Sequence, residues 1–141
     1  MAKLPGYLRY TEGMKPVTKD WIHRAIYDFE SAKLLLHGRQ YLHCVYFCQQ
    51  TIEKALKAII TEHSTDPPPY THNLVVLNEK LVHLFKVNAK QASLLNFLTK
   101  HYIPTRYPGY KEQLSKALDS KQTKLVVKQT QELYECLTKL I

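Results

Sequence analysis

Cys44-Val45-Tyr46-Phe47-Cys48-Gln49-Gln50-Thr51-Ile52-Glu53-Lys54-Ala55-Leu56-Lys57-Ala58-Ile59-Ile60 is the stretch that decides the fold. It contains neither Pro nor Gly. Its apolar positions, Tyr41, Val45, Cys48, Ile52, Ala55, Leu56 and Ile59, recur at the three-then-four spacing of one helical face. The other side carries Gln50, Glu53, Lys54 and Lys57, and Glu53 to Lys57 is a helix-stabilising i,i+4 pair in the better orientation. Such a helix packs on other helices through its apolar seam. A Gln/Glu/Lys face of this kind is ordinarily solvated.

Upstream, Trp21, Ile22, Ala25, Ile26, Phe29, Ala32, Leu35 and Leu36 repeat with the same period. Thr18 is the expected N-cap and Asp20 an acid suited to the first turn, with Gly38 as the stop. The connection Gly38-Arg39-Gln40 is so short that the two helices must run antiparallel. Residues 1–17, with Pro5, Gly6, Gly13 and Pro16, show no helical period and read as an extended arm ahead of one domain, residues 18–141. Downstream, the central helix ends near His63, because Asp66-Pro67-Pro68-Pro69 is a hard break. Thr71 is the expected cap of the next helix, through Leu74, Leu77, Leu81, Leu84 and Phe85. Another helix spans 88–102, and the last runs through Leu125, Val126, Leu133 and Leu137. Nothing reads as a strand. The expected fold is all-α, an up-and-down bundle of four long helices and one shorter one.

At 141 residues, 45% hydrophobic and 23% charged, the chain suits a single globular domain with an ordinary core. No run reaches the roughly 18 apolar residues of a membrane span, and no apolar signal segment opens the chain, so the expected compartment is the cytoplasm. Cys44 and Cys48 lie one helical turn apart, where a bridge would be strained, and Cys136 stands far from both; packed, reduced thiols follow. No Cys or His spacing describes a zinc site, no Gly-rich phosphate loop is present, and no cofactor is expected. The net charge of +8 points to anionic company: nucleic acid, nucleotides or an acidic protein.

The second informative stretch is His101-Tyr102-Ile103-Pro104-Thr105-Arg106-Tyr107-Pro108-Gly109-Tyr110-Lys111. It places an Arg, three Tyr and a Lys in a Pro/Gly-constrained loop after a helix. An Arg grips phosphate bidentately, and Tyr faces stack on bases. The structural alternative is that the tyrosines pack beneath the loop and Arg106 pairs with an acid such as Glu53 or Asp119. His72, at a helix start, reads as a local hydrogen-bond partner.

Gln50-Thr51-Ile52-Glu53-Lys54-Ala55-Leu56-Lys57-Ala58, followed by Thr71-His72-Asn73-Leu74, resembles the HEPN domain family (higher eukaryotes and prokaryotes nucleotide-binding). There a Gln-x-x-Glu-Lys-x-Leu-Lys-Ala helix precedes a loop ending in Thr-His-x-Leu. Tyr102 to Pro108 is similar to that family's Tyr-x-x-x-Arg-Tyr-Pro segment, and the resemblance covers about residues 18–140. It implies a cleft where Lys54, Lys57, Tyr102, Arg106 and Tyr107 hold a nucleotide or RNA phosphate with few acids nearby, supported by Gln50, Glu53, His72 and Tyr110. It also implies a homodimer. Its prokaryotic members are often paired with a minimal nucleotidyltransferase, in what looks like a toxin–antitoxin or two-subunit arrangement in which this chain is the substrate-binding half.

One departure matters. Ribonuclease members of this superfamily carry Arg, four to six residues, then His. No His follows Arg106; Arg39 and His43 are separated by only three residues; after Arg24 the next His is His37. Tyr110 stands near the missing place, and a phenol of pKa about 10 is a poor general base at neutral pH. That nuclease activity is therefore not carried over. The alternatives are a ribonuclease with a non-standard site around Arg106 and a non-catalytic subunit whose basic face docks an acidic protein.

Overall fold

The computed structural model describes residues 13–102, 109 and 116–141. Most of the N-terminal arm, and Arg106, Tyr107 and Tyr110, lie outside the described residues. Among the described residues the regular elements are five helices: α1 (Pro16–His37), α2 (Tyr41–His63), α3 (Leu74–Glu79), α4 (Ala89–His101) and α5 (Ser120–Thr138). They form the helical bundle of four long helices and one short that the periodicity predicts.

The expected Thr18 cap is corrected. Helix α1 starts two residues earlier at Pro16, whose fixed φ and missing N–H suit a first helical position. Thr18 is fully buried and donates its hydroxyl to Glu62 Oε1 at 3.2 Å. The same oxygen accepts the Lys15 N–H at 3.0 Å, while Lys15 Nζ reaches the carbonyls of Thr61 at 3.0 Å and Ser64 at 3.2 Å. The end of α2 thus ties down the beginning of α1, and the pair is antiparallel.

The stop of α1 also differs in detail. Arg39 N–H bonds to Leu36 O at 3.1 Å and Gln40 N–H to Leu35 O at 2.8 Å, the two bonds of a Schellman motif. The left-handed residue that this motif needs is Arg39, at φ 59°; Gly38, at φ −80°, stands one position too early. An arginine therefore occupies the backbone position that glycine adopts without steric cost.

Helix α2 packs against α1, α3, α4 and α5. Ile52, Leu56 and Ile59 are fully buried, each stabilising the fold by about 1.5–3 kcal/mol relative to exposure. Cys44 and Cys48 are also fully buried as free thiols. With neighbours on so many sides, the polar face is not the solvated one expected: Gln49, Glu53 and Lys57 are buried too.

The remaining helices are capped by asparagine and aspartate. Asn73 Oδ1, and not Thr71, caps α3 by accepting the N–H groups of Val75 at 3.0 Å and Val76 at 3.3 Å; Thr71 Oγ1 acts one step earlier, on the Asn73 N–H at 3.1 Å. Helix α3 stops at Glu79, so Leu81, Leu84 and Phe85 belong to the turns that follow. Asn88 and Gln91 form a reciprocal capping box for α4, with bonds of 2.8 and 2.9 Å. Asp119 Oδ1 caps α5 on the Gln122 N–H at 2.7 Å. His63 Nε2 donates to Leu140 O at 2.6 Å, which joins the C-terminal ends of α2 and α5.

Candidate functional site

Tyr46, Gln49, Gln50, Glu53 and Lys57 fall on one stripe of α2 because three- and four-residue steps return to the same helical face. The loop ahead of α3 brings His72 onto that stripe. Its Nδ1 lies 2.6 Å from Glu53 Oε1, and Gln49 Nε2 donates to the His72 carbonyl at 2.9 Å. Gln50 Nε2 in turn donates to Gln49 Oε1 at 2.6 Å. Glu53 is buried, whereas 42% of the His72 side chain is exposed. Its carboxylate thus holds one ring nitrogen, and the imidazole stands at the edge of the protein. Among the described residues Nε2 has no hydrogen-bond partner.

The end of α4 supplies the other wall. Tyr102 stacks on His72 with ring centroids 4.3 Å apart and planes 25° apart, and Tyr46 also stacks with Tyr102, at 5.7 Å and 18°. Tyr70, 99% exposed, stands 6.3 Å from the His72 ring. Burial, reinforced by the charge of Glu53, pushes the phenol of Tyr46 above its ordinary pKa. Burial does the same for Tyr102, with Tyr46 and Glu53 adding to it. Both rings are therefore neutral hydrogen-bonding groups at physiological pH, with π faces in a row.

The lysines do not stand among few acids, and that expectation is corrected. Lys57 Nζ lies 3.6 Å from Glu53 Oε1 and 5.5 Å from the centre of the Trp21 ring on α1, where it makes a cation–π contact. Lys54 is ion-paired with Asp28, also on α1. Each positive charge has its own carboxylate, so neither amino group is a bare phosphate receptor. Glu53, Lys57, His72 and Tyr102 come together as one cluster, joined by Gln49 and Gln50. Lys54 turns toward α1. The positions of Arg106, Tyr107 and Tyr110 relative to this cluster lie outside the described residues.

Sequence reasoning missed Tyr46, Gln49, Asp28, Trp21 and Tyr70. Tyr46 and Gln49 were within its reach, since they share a helical face with Glu53. Trp21 and Asp28 carry a subtler signal: in a tight antiparallel hairpin, residues equidistant from the turn are neighbours, and both lie roughly opposite the lysines they meet. Tyr70 had no local signal. Among the described residues no group of three or more His, Cys, Asp or Glu side chains is arranged to hold a metal ion. None of the described helices is long and apolar enough to cross a membrane.

Comparison with solved structures finds a protein from Thermus thermophilus, described as the crystal structure of TT1696. It superposes with a TM-score of 0.78 at 20% sequence identity, covering 90% of this chain and 100% of that one. At that identity the likeness concerns the fold alone. A search of curated proteins finds no match. The family profile described as the HEPN domain matches residues 18–140, a range that holds the α2 stripe, His72 and the end of α4. The chain belongs to the HEPN domain family.

Proposed function

We propose that this HEPN-domain chain binds a nucleotide or RNA phosphate beside the His72–Tyr102 stack and serves as the substrate-binding partner of a minimal nucleotidyltransferase. The observation that carries the reading is the half-exposed imidazole of His72, anchored at Nδ1 by buried Glu53 and backed by Tyr102. A fixed imidazole edge offers a hydrogen-bonding nitrogen to a phosphate or base, and its ring and that of Tyr102 offer faces for stacking. The segment carrying Arg106, Tyr107 and Tyr110 follows Tyr102 directly in the chain. With Lys54 and Lys57 already paired, Arg106 is the phosphate-gripping group in this reading, and Lys57 acts by setting the charge around Glu53.

The test is a thermal-shift panel of nucleoside mono-, di- and triphosphates on the wild type, Arg106→Ala and His72→Ala. A ligand held at a hundred times its dissociation constant adds about 2.7 kcal/mol to stability, a shift of several degrees. Stabilisation that is lost in both variants supports the site. A shift retained in both, or none with any nucleotide, overturns it. Co-purification with a minimal nucleotidyltransferase, if one is encoded beside this chain, tests the partnership separately.

A further inference from the structure

We propose that a second anion site, built by the α1–α2 turn and the first half of α5, holds the phosphodiester backbone of a nucleic-acid strand. A depression of about 490 Å³ opens there, lined by Lys33, His37, Arg39, Tyr41, Lys124 and Ser120 around Leu36. Among the described residues no carboxylate lines it. A neighbouring depression shares Lys124 and continues the positive surface through Lys121 and Lys128. The one acid among its described residues, Asp119, spends its Oδ1 on the Gln122 N–H as the cap of α5.

At two places on this surface the choice of residue is locally unfavourable. Arg39 occupies the left-handed position of the Schellman motif, at φ 59°, although a glycine stands beside it. Lys121, Lys124 and Lys128 are all exposed on one stripe of α5, and the 124–128 pair sets like charges at the i,i+4 distance that weakens a helix. Features that a fold carries against its own local preferences collect where a ligand offsets them. The ligand that offsets these is a repeated negative charge. Along the helix axis the three lysines are spaced by about 4.5 and 6 Å, a row of charges and not a single point. Beside that row Tyr41, half-buried against the core, lines the cup and brings to it an aromatic ring, the kind of group on which a base stacks. The row and the ring together favour a nucleic-acid strand over an acidic protein.

This site lies at the turn end of the bundle, and His72 is not among the residues that line it. The experiment uses the full chain and a fluorescein-labelled single-stranded oligonucleotide, as RNA and as DNA, in anisotropy titrations across a salt series. The wild type is expected to bind with an affinity that falls steeply with salt. Arg39→Gly and Lys124→Gln are each expected to weaken binding several-fold and to make the slope of log K against log salt shallower by about 1. Arg39→Gly removes the backbone strain, so it is expected to melt no lower than the wild type, and lost binding cannot be put down to misfolding. Both variants should keep any mononucleotide shift of the His72 site. Unchanged oligonucleotide binding in both variants overturns the proposal. So does the absence of binding by the wild type at low salt, which leaves an acidic protein as the partner of this face.

Discussion

At the scale of single residues, Glu53 holds the cluster together. One oxygen of its buried carboxylate, Oε1, meets both His72 and Lys57, and the stripe of α2 has no other acid. Glu53→Ala leaves the Lys57 ammonium, itself mostly buried, without its counter-charge. Removing one partner of a buried pair costs about 3–5 kcal/mol, and the exposure of His72 places this case near the lower figure. Urea denaturation should show a lower midpoint with little change in slope. Glu53→Gln keeps a carbonyl oxygen and should recover part of the loss. His101 sets a pH dependence of its own. Burial, opposed by the bond from Nδ1 to the Phe97 carbonyl at 2.8 Å, holds its pKa below the usual 6.5. The folded state thus takes up a proton less readily than the unfolded chain. The contribution of His101 is present above pH 6.5 and drains away as pH falls through the folded pKa. A melting series from neutral to acid pH should therefore slope downward once pH falls below 6.5, and His101→Gln should flatten it.

At the scale of elements, the helix cores were legible and their ends were not. Hydrophobic period places all five helices, because it reports which face each must bury. Caps depend on what the rest of the fold brings near. Thr18 looks like a cap, yet Glu62 from the far end of α2 recruits it as a buried donor. Thr71 is displaced by Asn73, whose carbonyl reaches two N–H groups at once. The polar face of α2 misled for the same reason: a helix contacted by four others keeps little free surface, and its charges are met there by Asp28, Glu53 and Trp21. Gln50, Glu53, Lys57 and His72 of the candidate cluster were readable from the Gln-x-x-Glu-Lys-x-Leu-Lys and Thr-His motifs, whereas the stack of Tyr46, Tyr102 and His72 needs three elements in place. The capping box of α4 gives a quantitative test. Asn88→Ala frees the Gln91 N–H and should cost about 1 kcal/mol, with faster amide exchange in the first turn of α4.

At the scale of the whole molecule, the chain is a bundle in which α1 and α2 form an antiparallel hairpin and the other helices pack on α2. The candidate nucleotide cluster lies midway along α2, and the basic surface lies at its beginning. Any ligand that bridges them would run along the outside of the bundle, and binding at either place need not disturb the core between α2 and α5. Cys44 and Cys48 sit in that core, one turn apart, with no exposed surface. The bond from Cys44, together with burial, pushes the Cys48 thiol well above its ordinary pKa, so it meets an alkylating reagent neither as a thiolate nor in the open. Cys136, only partly covered, is the thiol a reagent meets first. The three cysteines therefore amount to a clock with two hands. One thiol should react at once under native conditions, and the other two only as often as the bundle comes apart. Their slow labelling rate, followed by mass spectrometry, should rise with urea in parallel with global unfolding. A ligand bound at either surface should slow it, with the protein's own cysteines as the reporters.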